Sequence, residues 1–219
     1  FVSYEQKIPL DSCDYYFILA ELAIFFRPSY QHFEKQKKGY LIADRLKALS
    51  LRSRKIGIKK SEFLCGISWK STKTEASDEK SLGLAEFIPF LSLTNIRFVN
   101  LQYGDCENEI NELMHQHGIK LESVREIDNY NDIDGLASLI EACDFVITSS
   151  NVTAHIAGAI NKKTFLLVPY HFGASWHWHL DDIYSRWYPS IKIFRQTTNK
   201  SWQEPVSRIA KELNIIYGS

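Results

Sequence analysis

The sequence has no excess of charge of either sign. It contains 26 Lys and Arg residues against 26 Asp and Glu residues, so its formal net charge is zero. A nucleic-acid-binding domain usually carries a basic field, and this composition gives no reason to expect such a partner. A signal peptide and an apolar run long enough to cross a membrane are also lacking. We therefore expect a cytoplasmic protein without a membrane span.

Cysteine and methionine are scarce. The four cysteines are scattered and form no CxxC pair, which suits a reducing compartment. Cys65 and Cys143 lie in or beside apolar runs, so we predict that both are buried thiols. The single methionine is Met114 and the sequence begins at Phe1, so we expect a piece of a longer or processed gene product.

Several motifs that would indicate an activity are missing. No GxGxxG follows the first predicted strand, so the usual dinucleotide fingerprint is absent. The sequence has neither a GxSxG elbow nor a convincing Cys–His pair for nucleophilic catalysis. His177 and His179 follow His171, but no carboxylate or cysteine completes a zinc site at suitable spacing. We therefore predict no cofactor and no bound metal.

What the sequence does contain is a regular alternation of strand and helix patterns from residue 62 onward. Strands are predicted at 63–69, 96–101, 119–127, 145–148, 164–168 and 191–194. Helices are predicted at 82–91, 107–117, 133–142, after residue 151, and at 202–213, with Pro89 as a flaw in the first. This alternation predicts an α/β fold, a Rossmann-like, doubly wound parallel sheet of about six strands.

The residues before this alternation differ in pattern. Helices are predicted at 15–26 and 44–51, and a basic connector follows at 52–60. We interpret 1–55 as an N-terminal helical segment and linker, and 56–219 as the Rossmann-like domain. The basic connector is either a solvated surface or a place of phosphate contact.

The stretch 144–158 is the centre of the predicted fold. It combines a buried strand, a small polar turn and the start of a helix, whose free N–H groups and dipole favour an anion. The alternative is an ordinary capped core helix. His155 lies four residues after Asn151, on the same helical face, and either contacts a phosphate or sugar or packs as a hydrogen-bonded histidine. The candidate anion-binding residues here are Ser149, Ser150, Asn151, Thr153 and His155.

Two further loops leave the same edge of the predicted sheet. The loop after the first strand supplies hydroxyl and ammonium groups for a diphosphate, or is simply a solvated lysine-rich loop. Its candidates are Ser68, Lys70, Ser71 and Lys80. The loop after the second strand offers acceptors for ribose hydroxyls and a ring for a base, or is a plain turn. Its candidates are Gln102, Tyr103, Asp105 and Glu107.

A third loop, at 128–132, is rich in Asp and Asn. It lacks the spacing of a calcium loop, so we predict that Asp132 or Asn131 caps the helix that begins near Ile133.

Five short strings occur in an order that resembles the C-terminal half of GT-B glycosyltransferases. They are GISWK at 66–70, LQYGD at 101–105, AHIAGA at 154–159, WYPS at 187–190 and FRQ at 194–196. The resemblance is to family 9, the heptosyltransferase-like group, and to related domains that follow tetratricopeptide repeats. It covers about residues 55–213.

This resemblance implies a domain that binds a nucleotide-diphosphate sugar and transfers the sugar to an acceptor without a metal. It implies that the 68–71 loop and Lys80 meet the diphosphate, that 150–155 meets phosphates and sugar, and that 102–107 approaches the nucleoside. An N-terminal acceptor domain or tetratricopeptide repeats upstream are the expected partners.

Two departures from the family pattern leave other functions open. The family commonly has aspartate where Ser150 stands, and no acceptor domain is recognisable in 1–55. The alternatives are a non-catalytic interaction module with a degenerate GT-B fold and a nucleotide-sugar epimerase of related architecture.

Overall fold

The computed structural model describes residues 14–15, 22–33, 39–71, 82–170, 176–179, 182–197 and 201–218. The chain divides into two compact units, Phe1–Lys37 and Lys38–Ser219. The first unit contains a helix α1 (Leu22–Phe26) and a 3-10 turn, Tyr30–His32. Helix α1 confirms the end of the helix predicted at 15–26, while residues 16–21 lie outside the described residues.

The second unit is built on one sheet of six parallel strands. The strands are β1 (Phe63–Ser68), β2 (Ile96–Asn100), β3 (Leu121–Glu122), β4 (Phe145–Ser149), β5 (Thr164–Val168) and β6 (Ile191–Arg195). Their order across the sheet is β3-β2-β1-β4-β5-β6. The predicted α/β, doubly wound fold is confirmed.

Helices cover the sheet. They are α2 (Arg45–Ser50), α3 (Ile88–Leu91), α4 (Glu107–His117), α5 (Ile133–Ala142), α6 (Val152–Ala159) and α7 (Gln203–Tyr217). A π-helical segment, Leu51–Ile56, continues α2, and 3-10 turns occupy Leu84–Phe87 and Trp176–Trp178. None of the helices in the described part of the chain is long and apolar enough to cross a membrane.

Local chemistry explains where these helices begin. The Asp132 carboxylate accepts a hydrogen bond of 2.7 Å from the Gly135 N–H and so caps α5, which settles the choice between Asp132 and Asn131. Only the end of the helix predicted at 82–91 is α-helical, because the 3-10 turn Leu84–Phe87 precedes the four-residue α3. Pro89 lies in the first turn of α3, where its missing N–H costs no hydrogen bond.

Both faces of the sheet are buried, as a parallel sheet requires. Cys65 and Ile67 of β1 face the core beneath α7, whereas Leu64 faces the core beneath α5. The second core also contains Ala48, Leu51 and Ile56. The boundary predicted between residues 55 and 56 therefore falls inside a segment that packs on this core.

The order of the strands reverses between β1 and β4, since β1 pairs with β2 on one side and with β4 on the other. In open α/β sheets, ligands bind beyond the carboxyl ends of the strands at such a reversal. The chain emerges there at Ser68 from β1 and at Ser149 from β4.

Candidate functional site

Asn151 connects the end of β4 with the loop that leaves β1. Its Oδ1 accepts a hydrogen bond of 3.0 Å from the Thr153 N–H and so caps α6. Its Nδ2 donates to Ser68 Oγ at 2.7 Å and to the Lys70 carbonyl at 3.3 Å. One side chain thus ties a helix N-terminus to a neighbouring loop.

Gln102, at the exit of β2, contacts the same loop. Its Oε1 accepts from the N–H groups of Trp69 and Lys70, at 2.9 and 3.0 Å, and from Ser68 Oγ at 3.0 Å. The side chain is 2% exposed, and these bonds are internal to the protein. The loops after β1, β2 and β4 therefore meet at one place, as the shared edge of a parallel sheet requires. Ribose contact by Gln102 stays a prediction.

The ammonium group of Lys70 faces α4. It forms an ion pair with Glu109 and donates a hydrogen bond of 3.0 Å to the Asp105 carbonyl. The other oxygen of the Glu109 carboxylate accepts from the Trp69 indole N–H. Glu109 is not among the site residues predicted from the sequence. The sequence does place Glu109 in the first turn of a predicted helix, where acidic side chains are favoured, and this was the one local signal for it.

The hydroxyl groups of the β4–α6 turn differ in their surroundings. Ser150 Oγ accepts a hydrogen bond of 2.8 Å from the indole N–H of Trp178, and Ser149 Oγ accepts one of 3.4 Å from Asn151. Thr153 is fully buried, and its Oγ1 has no hydrogen-bond partner among the described residues. No local pattern in the sequence predicts this hydrogen bond of Trp178 to Ser150. Ser71 is half-buried at the end of the described loop, and Lys80 lies outside the described residues.

His155 belongs to an aromatic cluster beside this turn. Its ring stacks on Trp178 at a centroid distance of 5.1 Å and meets the Tyr188 ring edge-on at 5.7 Å. His155 Nδ1 and the Tyr188 hydroxyl share a hydrogen bond of 3.2 Å. Burial lowers the pKa of His155 below its ordinary value, because the charged imidazolium loses hydration.

This lowered pKa predicts a dependence of stability on pH. As the pH falls, the unfolded chain binds a proton at His155 before the folded chain does, so the stabilisation is complete above the ordinary pKa and is lost below it. We expect the free energy of unfolding to fall less between about pH 7 and pH 5 in His155→Gln than in the wild type. Denaturant unfolding at several pH values measures this. His117→Gln, at an exposed site on α4, is the control, and equal slopes in all three proteins would contradict the prediction.

A cavity of about 590 Å³ opens next to the loop after β2, between α4 and the region that follows β3. Gln102, Tyr103 and Glu107 line it, and the ring of Tyr103 lies 6.1 Å from that of Tyr130. Asp105 is exposed, and its carboxylate accepts from the Glu107 N–H at 3.4 Å. The cavity places three of the four predicted nucleoside-binding residues around one space.

In the described ranges of the chain, no group of three or more His, Cys, Asp or Glu residues could hold a metal ion. His177 and His179 are described, whereas His171 lies outside the described residues. Cys65 and Cys143 are free, buried thiols, as predicted, and burial raises the pKa of Cys143 to about 12.

No protein-family model matches the chain. Protein FlbA of Caulobacter vibrioides is 32% identical over 208 residues, which are 93% of this chain and 33% of FlbA. The solved structures that are similar in fold include two glycosyltransferases. A glycosyl transferase family 9 protein from Veillonella parvula has a TM-score of 0.55 and 10% identity, over 81% of this chain and 53% of that one. ADP-heptose LPS heptosyltransferase II of E. coli has a TM-score of 0.54 and 16% identity, over the same shares.

The chain spans about a third of the curated relative and about half of each of these solved structures. The two solved structures are only 10% and 16% identical to this chain, so their similarity establishes the fold alone. It shows that this chain has a glycosyltransferase-like, Rossmann-like fold.

Proposed function

We propose that this chain is the donor-binding half of a glycosyltransferase. It binds a nucleotide-diphosphate sugar, and the sugar passes to an acceptor held by another part of the longer, cytoplasmic protein, such as an upstream acceptor domain. The reaction uses no metal, because lysine side chains and the N-terminus of α6 stabilise the departing diphosphate.

The observation that carries this proposal is the meeting of three loops at the reversal of strand order. Lys70, Asn151 and Gln102 are joined there by direct hydrogen bonds. The E. coli neighbour, which shares this fold, is named as an ADP-heptose heptosyltransferase. We assign the diphosphate to Lys70, Ser71 and Lys80 and to the turn at 149–151, and the nucleoside to the cavity lined by Tyr103 and Glu107.

Titration calorimetry with ADP, UDP and GDP tests the proposal. We expect at least one of them to bind with a dissociation constant of about 1 mM or below. Lys70→Ala should weaken that binding about five- to tenfold, since a charge-assisted hydrogen bond is lost. Lys80→Ala, which tests the sequence-based assignment, should act in the same direction.

Lys192→Ala is the matched control for Lys70→Ala. It also removes an ammonium group that forms an ion pair, here with Glu212 at 2.6 Å, but from the far strand β6. Binding should stay within about twofold of the wild type. The proposal is wrong if none of the three nucleotides binds, or if Lys70→Ala and Lys192→Ala weaken binding equally.

A second candidate is a non-catalytic interaction module that keeps the fold but does not bind the donor. The observation that favours it is the occupation of the site by the protein's own side chains. Trp178 donates to Ser150, and Glu109 neutralises Lys70. The same calorimetry separates the two candidates, because a module of this kind shows no heat of binding with any of the three nucleotides.

A further inference from the structure

The main chain of Lys70 is held on both sides of its Cα atom. Its N–H donates to Gln102 Oε1 at 3.0 Å. Its carbonyl accepts from Gln102 Nε2 at 3.1 Å and from Asn151 Nδ2 at 3.3 Å. Gln102 is 2% exposed and Asn151 is 6% exposed. Two buried amides, from the segments that follow β2 and β4, therefore fix one residue of a loop.

The orientation of the Gln102 amide is determined by its partners. Its oxygen faces three donors, and its nitrogen donates to the carbonyls of Lys70 and Tyr103. A flipped amide would set the NH2 group against donors and the oxygen against carbonyls. The backbone of Gln102 is itself fixed, since its N–H donates to Asn100 Oδ1 at 2.8 Å and its carbonyl accepts from Asn129 Nδ2 at 3.1 Å.

These bonds limit which groups of the loop after β1 are available to bind a ligand. The N–H groups of Trp69 and Lys70 are already used by Gln102, so a phosphate cannot take them without breaking buried bonds. The ammonium group of Lys70 is at the end of a flexible side chain that is 26% exposed. The loop backbone is thus fixed, and the Lys70 side chain is the part that can turn from Glu109 towards an anion.

We infer that Gln102 and Asn151 are positioning residues, which hold the Lys70 loop beside the N-terminus of α6 so that both can bind one diphosphate. The inference rests on the proposed function. Asn151 caps α6 with its oxygen and holds the Lys70 carbonyl with its nitrogen, so one rigid group sets both halves of the anion site. In this arrangement the side-chain amides of both residues are engaged by the protein itself.

Asn151→Ser separates the two tasks of Asn151. Serine is a good N-cap, so α6 keeps its cap, but the hydroxyl cannot also reach Ser68 and Lys70. We expect the affinity for the nucleoside diphosphate that binds the wild type, among ADP, UDP and GDP, to fall about five- to tenfold. In the Lys70→Ala background the same substitution should change affinity by less than about twofold, because the two changes act through one group.

Gln102→Glu is the second variant. It keeps an acceptor for the Trp69 and Lys70 N–H groups but replaces the Nε2 donor with an oxygen that faces two carbonyls. It should lower the affinity for the same nucleotide and speed hydrogen exchange of the Lys70 amide. Asp132→Ser is the control, because it changes the cap of the neighbouring helix α5 and leaves these bonds intact.

The outcomes separate this inference from the proposed function. A wild-type chain that binds none of the three nucleotides overturns the proposed function, and the inference with it. If the wild-type chain binds one of them, two results overturn the inference alone. One is that Asn151→Ser changes the affinity no more than Asp132→Ser does. The other is that the losses of affinity in Asn151→Ser and Lys70→Ala are additive. Non-additive loss, with faster exchange at Lys70 in Gln102→Glu, supports it.

Discussion

Truncation of Trp178 to alanine is expected to lower the free energy of unfolding by about 3–5 kcal/mol. The side chain is fully buried, in a cluster with Ala154, Leu166 and Val168. Its removal leaves a cavity beneath the β4–α6 turn and deprives Ser150 of the hydrogen bond from the indole N–H. Urea unfolding followed by circular dichroism measures the loss.

Trp178→Phe is the matched variant, because it keeps an aromatic ring in the cluster and removes the N–H donor. It should cost less than Trp178→Ala. A loss of less than about 1 kcal/mol for the alanine variant would show that Trp178 does not anchor this turn. If the turn forms the anion site, Trp178→Phe should also alter nucleotide affinity, because the Ser150 hydroxyl is then free to turn.

The sequence predicts those parts of the fold in which local signals agree. Helices α4 and α5 have the predicted bounds, since each has an apolar stripe, and Asp132 supplies a cap for the second. Strand β3 was the weakest prediction, and only Leu121–Glu122 form it. It is an edge strand that pairs with β2 alone, so few contacts impose a pattern on its sequence.

The position of the candidate site also follows from the sequence. Three polar loops follow three parallel strands, and the carboxyl ends of parallel strands meet at one edge. What each side chain does there does not follow. Glu109 reaches Trp69 across 40 residues of sequence, and Trp178 reaches Ser150 across 28. Such pairs depend on tertiary packing, and no local pattern marks them.

Gln102 illustrates the difference between position and role. Its place after β2 indicated a residue at the edge of the sheet where ligands bind in open α/β folds. The structure shows a buried amide whose oxygen and nitrogen are both used by the neighbouring loop. Whether a polar residue faces the ligand or holds the backbone depends on the loop next to it.

Truncation of Leu101, the neighbour of Gln102, is the second change for which we expect a large loss of stability. A Cβ atom at Gly66 in β1 would lie 2.3 Å from Leu101 Cδ1 and 3.2 Å from Cys143 Sγ. Glycine at this position thus lets a fully buried leucine pack directly on the central strand. We expect Leu101→Ala to cost about 2–5 kcal/mol of stability through the cavity that it leaves. Gly66→Val should cost about 1–3 kcal/mol through overpacking, reduced by the better strand propensity of valine.

The double variant Gly66→Val/Leu101→Ala tests whether the contact between these two positions causes the losses of stability. Valine at position 66 fills part of the space that Leu101→Ala opens, so the combined cost should be smaller than the sum by about 1 kcal/mol or more. Chemical denaturation of the wild type, both single variants and the double variant gives that coupling energy. Additive costs would mean that Gly66 is required for another reason.

Because Leu101 precedes Gln102, Gly66→Val should also speed hydrogen exchange at the Lys70 amide, and the double variant should restore its protection. That result would link the packing of the central strand to the loop that carries Lys70.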